Sequence, residues 1–290
     1  MGSAPGAATV TPQEHFNNIA AIYEKTTGGS TRVIARHLAE ISSPIGRNSR
    51  ILDIACGTGV VIDELLAKIE DSDVRNTLLI ETFDAAPSMI ELVKTKVVQS
   101  IWQLPPDHIR ADTLAAEDLD SILSDNFDYS FANFGFQFFK DVDKAAAHVY
   151  RTLKPGGKAY ITAWNDLGYM KAVEEAAEEI RPGQPSPRLP FEDAWFKDSH
   201  LTNIFQKAGF RSVEVHQKDS VYTSGSIGDM AQILSEMMAT MLKLQGWTDD
   251  EMGRLPDALK NAFGGYTEGL VVDENKVQLR MMANVAVCAK

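Results

Sequence analysis

An apolar run, Ile51-Leu52-Asp53-Ile54-Ala55, passes at once into Cys56-Gly57-Thr58-Gly59-Val60. Where side chains are absent, backbone can approach a ligand closely, and a helix starting after such a turn offers free N–H groups to a carboxylate. These residues form a cradle suited to a cofactor. Asp84 closes Thr82-Phe83-Asp84, 25 residues after Gly59, near the separation of about 20 residues at which an acid binds a ribose diol in nucleotide folds. A third acid, Asp112 in Arg110-Ala111-Asp112-Thr113, stands where a third strand would end and can accept from an adenine amino group. Singly, each feature has a plain structural alternative, since glycine turns join strands to helices and an Asp after a strand caps a helix. Their order and spacing together point to a nucleoside cofactor. A dinucleotide fingerprint would need a third glycine where Ile62 stands, which weakens the reading as a nicotinamide-dependent oxidoreductase.

The elements that must position these residues are legible from periodicity. Phe16, Ile19, Ala20 and Tyr23, then Val33, Ile34, Leu38 and Ile41, recur at helical spacing on either side of Gly28-Gly29-Ser30, predicting two N-terminal helices. Beyond Pro44 and Gly46 the segments alternate. Strands are expected at 50–55, 78–83, 108–111, 127–132 and 158–164, with helices at 60–69, 87–98 and 142–153. Such alternation implies right-handed crossovers and a mainly parallel sheet, here of five strands. Pro182, Pro185, Pro187 and Pro190 mark an irregular connection, followed by a helix near 199–208 and a strand near 213–216. Ile233, Met237, Met241 and Leu244 share one helix face, 255–263 suggests another helix, and 279–287 a last strand. The expected organisation is an N-terminal helical lid segment over 1–48 and one α/β domain over 49–290, with a helical insertion at about 220–275.

Composition narrows the partners. With 28 Lys and Arg against 40 Asp and Glu, the net charge of −12 repels a phosphate backbone, and no basic run offsets it, so nucleic acid is not an expected partner. Cys56 and Cys288 are the only cysteines, which leaves neither a disulfide framework nor a metal-type spacing. Residues 1–11 lack the pattern of a secretory signal, and no stretch is apolar enough to span a bilayer. A cytoplasmic enzyme acting on a small molecule, with neither metal nor membrane, is the expectation.

Taken in order, Asp53-x-Ala55-x-Gly57-x-Gly59, Asp84 with Met89 five residues later, Asp112-Thr113 and Leu153-Lys154-Pro155-Gly156-Gly157 resemble class I S-adenosylmethionine (SAM)-dependent methyltransferases across most of the chain. Ala55 stands where that family usually has its first glycine. Tyr23-Glu24-Lys25-Thr26-Thr27-Gly28, Asn133-Phe134-Gly135-Phe136-Gln137-Phe138-Phe139, and Ala163-Trp164 followed by Met170 and Lys171 are similar to the fungal secondary-metabolite branch that includes the gliotoxin thiol methyltransferase. The resemblance implies a Rossmann-like α/β sheet, mostly parallel with an antiparallel last strand. It also implies SAM as cofactor, S-adenosylhomocysteine as product, and a compact acceptor methylated on sulfur, nitrogen or oxygen. By the same resemblance Asp53 sits by the methionine part of SAM and Asp84 binds ribose. Asp112 and Thr113 flank adenine, and Asn133 and Phe134 lie beside the sulfonium. Tyr23, Ala55, Gly57, Gly59, Ala85 and Met89 complete the implied cofactor set.

Aromatic faces can stabilise a sulfonium and hold a planar acceptor, so Phe16, Phe134, Phe138 and Trp164 are candidate acceptor residues. At least two of Phe131, Phe134, Phe136, Phe138 and Phe139 should instead pack as core. Met230, Met237, Met238 and Met241 are adaptable enough to line a pocket, Met237 being the candidate chosen, although core packing is expected for most of them. Methyl transfer by direct displacement needs chiefly alignment and exclusion of water, so a base is optional. None of the six His residues lies in a triad or metal pattern; His15 and Tyr23 are the catalytic candidates. A methyltransferase-like fold serving as a cyclase or regulatory module would keep the same motifs.

Overall fold

Strands buried on both faces read as continuous apolar runs, as Ile51-Leu52-Asp53-Ile54 nearly does at the centre of the sheet. The computed structural model describes residues 11–266 and 268–290. Its strands are β1 (Arg50–Ile54), β2 (Leu79–Asp84), β3 (Ile109–Thr113), β4 (Phe127–Asn133), β5 (Leu153–Asp166), β6 (Ser212–Ser224), β7 (Leu270–Val272) and β8 (Val277–Ala289). They form one sheet in the order β3-β2-β1-β4-β5-β8-β6, with β7 paired to β8. The first five are mutually parallel, whereas β8 runs antiparallel between β5 and β6. From β1 the chain winds outward to β2 and β3, then returns to start again at β4. The reversal opens a crevice beyond the carboxyl ends of β1 and β4, where ligands bind in sheets of this kind.

Among the described residues the helices are α1 (Pro12–Ile19), α2 (Tyr23–Thr26), α3 (Ser30–Ile41), α4 (Val60–Lys68), α5 (Ser72–Arg75), α6 (Pro87–Val98), α7 (Val142–Thr152), α8 (Met170–Ile180), α9 (Asp198–Lys207), α10 (Ile227–Leu244) and α11 (Asp249–Gly264). Thr11 caps α1 in a reciprocal pair with Glu14, and Pro12 at its first turn has no N–H to leave unpaired. A 3-10 turn over Ala20–Ile22 then breaks the first helical pattern before Tyr23. Ile34, Ala35, Leu38 and Ala39 of α3 are wholly buried, seating the helix against α4 and β6. Backbone contacts fix this N-terminal segment to the sheet edge: Thr223 N donates to Gly28 O at 2.9 Å and Ser220 Oγ to Ser30 O at 2.8 Å.

Several elements differ from the sequence expectation. Strand β6 covers 13 residues rather than the four expected near 213–216, because the polar run His216, Gln217 and Lys218 of this edge strand breaks the apolar pattern. Helix α8 was not anticipated. Its buried Ala172, Val173, Ala176, Ala177 and Ile180 follow helical spacing, but small alanines give a weak apolar signal. They let α11 pack closely, and with α10 the three helices share a core around Leu234, Leu242, Leu259 and Phe263. The short strand β7 also went unread. No helix of the described residues is long and apolar enough to cross a membrane.

Candidate active site

The turn after β1 is held by backbone that few residues adopt: Ala55, Gly57 and Gly59 all have positive φ, at 51°, 54° and 81°. Gly57 N donates to Asp84 Oδ2 at 2.9 Å and Ala86 N donates to Asp84 Oδ1 at 2.8 Å. One carboxylate therefore locks the turn after β1 to the turn after β2. Burial raises the Asp84 carboxyl above its ordinary value, and the two N–H donors partly offset this. A side chain at Gly57 would meet nothing closer than the Tyr23 ring at 3.9 Å, leaving its outer face open to a ligand. Gly59 serves packing instead, since an added Cβ would lie 2.9 Å from the Trp102 ring.

The end of β4 shows a second strained turn. Phe134 has φ 59°, and its N–H donates to Thr162 Oγ1, which in turn donates to Asn133 Oδ1, both at 2.9 Å. Asn133 Nδ2 donates to Thr31 O at 3.1 Å, tying α3 to the crevice. The Phe134 ring stacks on Trp164 with centroids 3.9 Å apart. Left-handed non-glycine residues cost energy and persist only where their surroundings over-determine them. Of the six such residues among those described, Ala55 and Phe134 sit at the reversal point, and a Cβ on Gly135 would come within 2.5 Å of Ala55 Cβ.

Two cavities open at this point. The first, about 430 Å³, is walled by Ala55, Gly57, Asp84, Ala85, Met89 and Asn133, and by the 114–118 segment after β3. The second, about 350 Å³, is walled by His15, Trp164, Tyr222 and the methionines Met237, Met238 and Met241. Thr11, Pro12, Phe16, Tyr23, Phe134 and Phe138 line both, so the cavities adjoin across an aromatic partition. Burial pushes the Tyr23 phenol up, and the charges of Asp84 and Glu24 add to this, so it keeps its proton at neutral pH. Burial lowers His15 from its ordinary 6.5, leaving a neutral imidazole on the second wall.

The structure thus gathers most of the residues picked from sequence. Four lie off the first cavity's wall: Asp53, Gly59, Asp112 and Thr113. Asp53 is wholly buried with neither oxygen hydrogen-bonded, and burial together with the Asp84 charge pushes its carboxyl well above the ordinary range. Asp112 instead accepts from Arg110 Nε at 2.8 Å at the sheet edge, and Thr113 is exposed at the end of β3. The wall there comes from Leu114, Ala115, Ala116, Glu117 and Asp118, one turn further on. Phe131 and Phe136 are core, as expected of two of the five phenylalanines. Three of the four methionines named above line a wall; only Met230 does not. Thr31, Gln137, Tyr169 and Tyr222 were missed, Tyr222 because its strand was read as ending six residues earlier.

A doubly wound sheet with a strained, glycine-bearing turn and a buried acid at its reversal point, beside an adjoining apolar cavity, defines a class of folds that bind nucleoside cofactors. The profile of the family described as "Methyltransferase domain" matches residues 27–215, more than half of the chain, and the protein belongs to that family. It is 24% identical over 237 residues to the methyltransferase ktnA of Aspergillus niger, covering 73% of this chain and 76% of that one. It is 25% identical over 250 residues to the acetylaranotin bis-thiomethyltransferase of Aspergillus terreus, covering 82% of each. Its fold is similar, with a TM-score of 0.53 and 18% identity, to phosphoethanolamine N-methyltransferase 2 of Haemonchus contortus bound to phosphomonomethylethanolamine and S-adenosylhomocysteine, over 94% of this chain and 58% of that one.

Proposed function

We propose that the protein is cytoplasmic and transfers a methyl group from SAM to a small organic acceptor, a secondary metabolite, on sulfur, nitrogen or oxygen. One observation carries this reading: a cavity built on the Gly57–Asp84 clasp, the more polar of the two, adjoins an apolar cavity across Phe16, Tyr23, Phe134 and Phe138. The residues present suit the cofactor, because Gly57 leaves an open backbone face and Asp84 presents a carboxylate at the place where a ribose diol is held. Bound there, the cofactor supplies an electrophilic methyl on a sulfonium.

Asp84 would hold the sugar hydroxyls, Met89 and Leu114 would cover the base, and Ala55, Gly57 and Asn133 would fix the amino-acid end. The aromatic partition directs a cation toward the second cavity while keeping water from the line of transfer. His15, neutral and on the acceptor wall, takes the proton that an alcohol or amine must lose; a thiol ionises with less help. Tyr23, its proton retained, serves as a donor and a wall. Helix α1 and the Met237 face of α10 close over the acceptor as a lid, so amide exchange in both should slow when SAM and acceptor bind together; unchanged exchange would exclude it. The decisive experiment incubates the protein with SAM and a panel of thiols, amines and phenols and looks for S-adenosylhomocysteine. Formation with one acceptor class supports the reading, whereas cofactor binding with no turnover on any acceptor would favour a cyclase or regulatory module.

A further inference from the structure

The second cavity carries a chemical description of what it holds. Among the described residues lining it there is no Asp, Glu, Lys or Arg. Its titratable groups are His15, lowered, and Tyr23, Tyr169 and Tyr222, all raised by burial, so the wall is uncharged at neutral pH. An ion entering such a wall would give up hydration with no opposite charge to replace it, which excludes carboxylates, phosphates and ammonium groups. Phe16, Phe134, Phe138, Trp164 and Phe191 supply ring faces, and Met237, Met238 and Met241 supply adaptable sulfur-bearing surface.

Of the polar side chains among its lining residues, three keep a buried atom without a partner. Thr31 Oγ1, Gln137 Oε1 and Tyr222 Oη have no hydrogen-bond partner, and their residues are only 3%, 6% and 1% exposed. Buried polar groups are mostly paired in folded proteins, and of the unpaired ones among the described residues these three share one cavity wall, where a ligand can pair with them. Structural features hold two of them in place. The Thr31 carbonyl is bound by Asn133, and the Tyr222 ring lies where a Cβ on Gly28 would stand, 2.7 Å away. The three differ in capability: the amide oxygen of Gln137 accepts, while both hydroxyls donate or accept.

We infer that the acceptor is an uncharged, largely aromatic molecule bearing hydroxyl or carbonyl groups, which Thr31, Gln137 and Tyr222 recognise. This deepens the methyl-transfer reading and takes from it only that the second cavity is the acceptor's. The test uses four naphthalenes, followed by quenching of Trp164 fluorescence with Trp164→Phe as the control for signal origin: 2-naphthol, naphthalene, 2-naphthoate and 2-(aminomethyl)naphthalene as its cation. Naphthol should bind at least tenfold more tightly than either ion and more tightly than naphthalene. In Tyr222→Phe, Gln137→Leu and Thr31→Val the preference for naphthol over naphthalene should fall about threefold to tenfold in at least one variant, with naphthalene binding kept. An ion that binds as well as naphthol, a full naphthol preference in all three variants, or failure of every probe to bind overturns the inference. Calorimetry with S-adenosylhomocysteine on the same proteins separates the two readings: lost cofactor binding with the naphthol preference intact sinks methyl transfer alone, and the reverse sinks this acceptor assignment alone.

Discussion

The two cavities are built in contrasting ways. The first is made largely of consecutive residues at the ends of adjacent parallel strands, where Ala55, Gly57, Asp84, Asn133 and Phe134 are fixed by backbone geometry and short hydrogen bonds. The second is assembled from α1, α3, β5, β6, α10 and β8, segments spread from Thr11 to Met281, and is held mostly by packing. A site made of strand ends stays constant while one made of surrounding helices and loops can change its ligand, because the former is set by the sheet and the latter by side chains. This contrast implies that substitutions should separate cleanly into those that affect the cofactor and those that affect the acceptor.

The largest separation should come from Asp84→Ala, which removes the clasp on Gly57 and the proposed ribose partner together. S-adenosylhomocysteine affinity is expected to fall by about a hundredfold or more by calorimetry, with circular dichroism and naphthol binding retained. Unchanged affinity would count heavily against the cofactor assignment. Next is His15→Gln, which should lower kcat/KM for a phenol about a hundredfold while leaving cofactor affinity intact. Since burial sets His15 below 6.5, the acid limb of the wild-type rate should have its midpoint below that pH. The variant should lose that limb, and an identical pH profile in both proteins would remove His15 from the reaction.

A smaller effect is expected of Gly28→Ala. Its methyl would lie 2.7 Å from the Tyr222 ring on backbone at φ 55°, costing about 1–3 kcal/mol of stability and weakening naphthol at least threefold. Cofactor affinity should stay within twofold; a parallel loss of both would mean the two cavities are not independent. The smallest concerns Asp53, whose carboxyl is raised in the folded state. Such a group favours folding below its ordinary 3.8, and that contribution is lost as pH rises through the folded value. Asp53→Asn should therefore melt about 2 °C or more above wild type at pH 8, with the gap closing toward pH 4. A variant less stable at pH 8 would show that Asp53 is charged and paired in solution.

Much of the first cavity was legible because its signals are local. The glycine turn, the acid closing β2 and the alternation of strand and helix are properties of short windows, and the parallel topology follows from them. Local reading does not show what some of these residues touch. Gly59 looks like ligand-approach glycine, but the Trp102 ring that requires it lies 43 residues away in sequence. Asp112 has the right type and place for adenine, yet Arg110, on the same strand, binds it at the sheet edge.

The sequence by itself determined the family, the parallel core and the acid–glycine pair at the reversal point, because backbone conformation and strand order depend on neighbouring residue types. Only the tertiary structure decided which aromatic and methionine side chains face a cavity and which fill the core, since both uses demand the same apolar residues. It alone brought Thr31, Gln137 and Tyr222 onto one uncharged wall. Their partnerless oxygens reflect long-range packing, in which β6 meets the N-terminal segment across about 190 residues of chain.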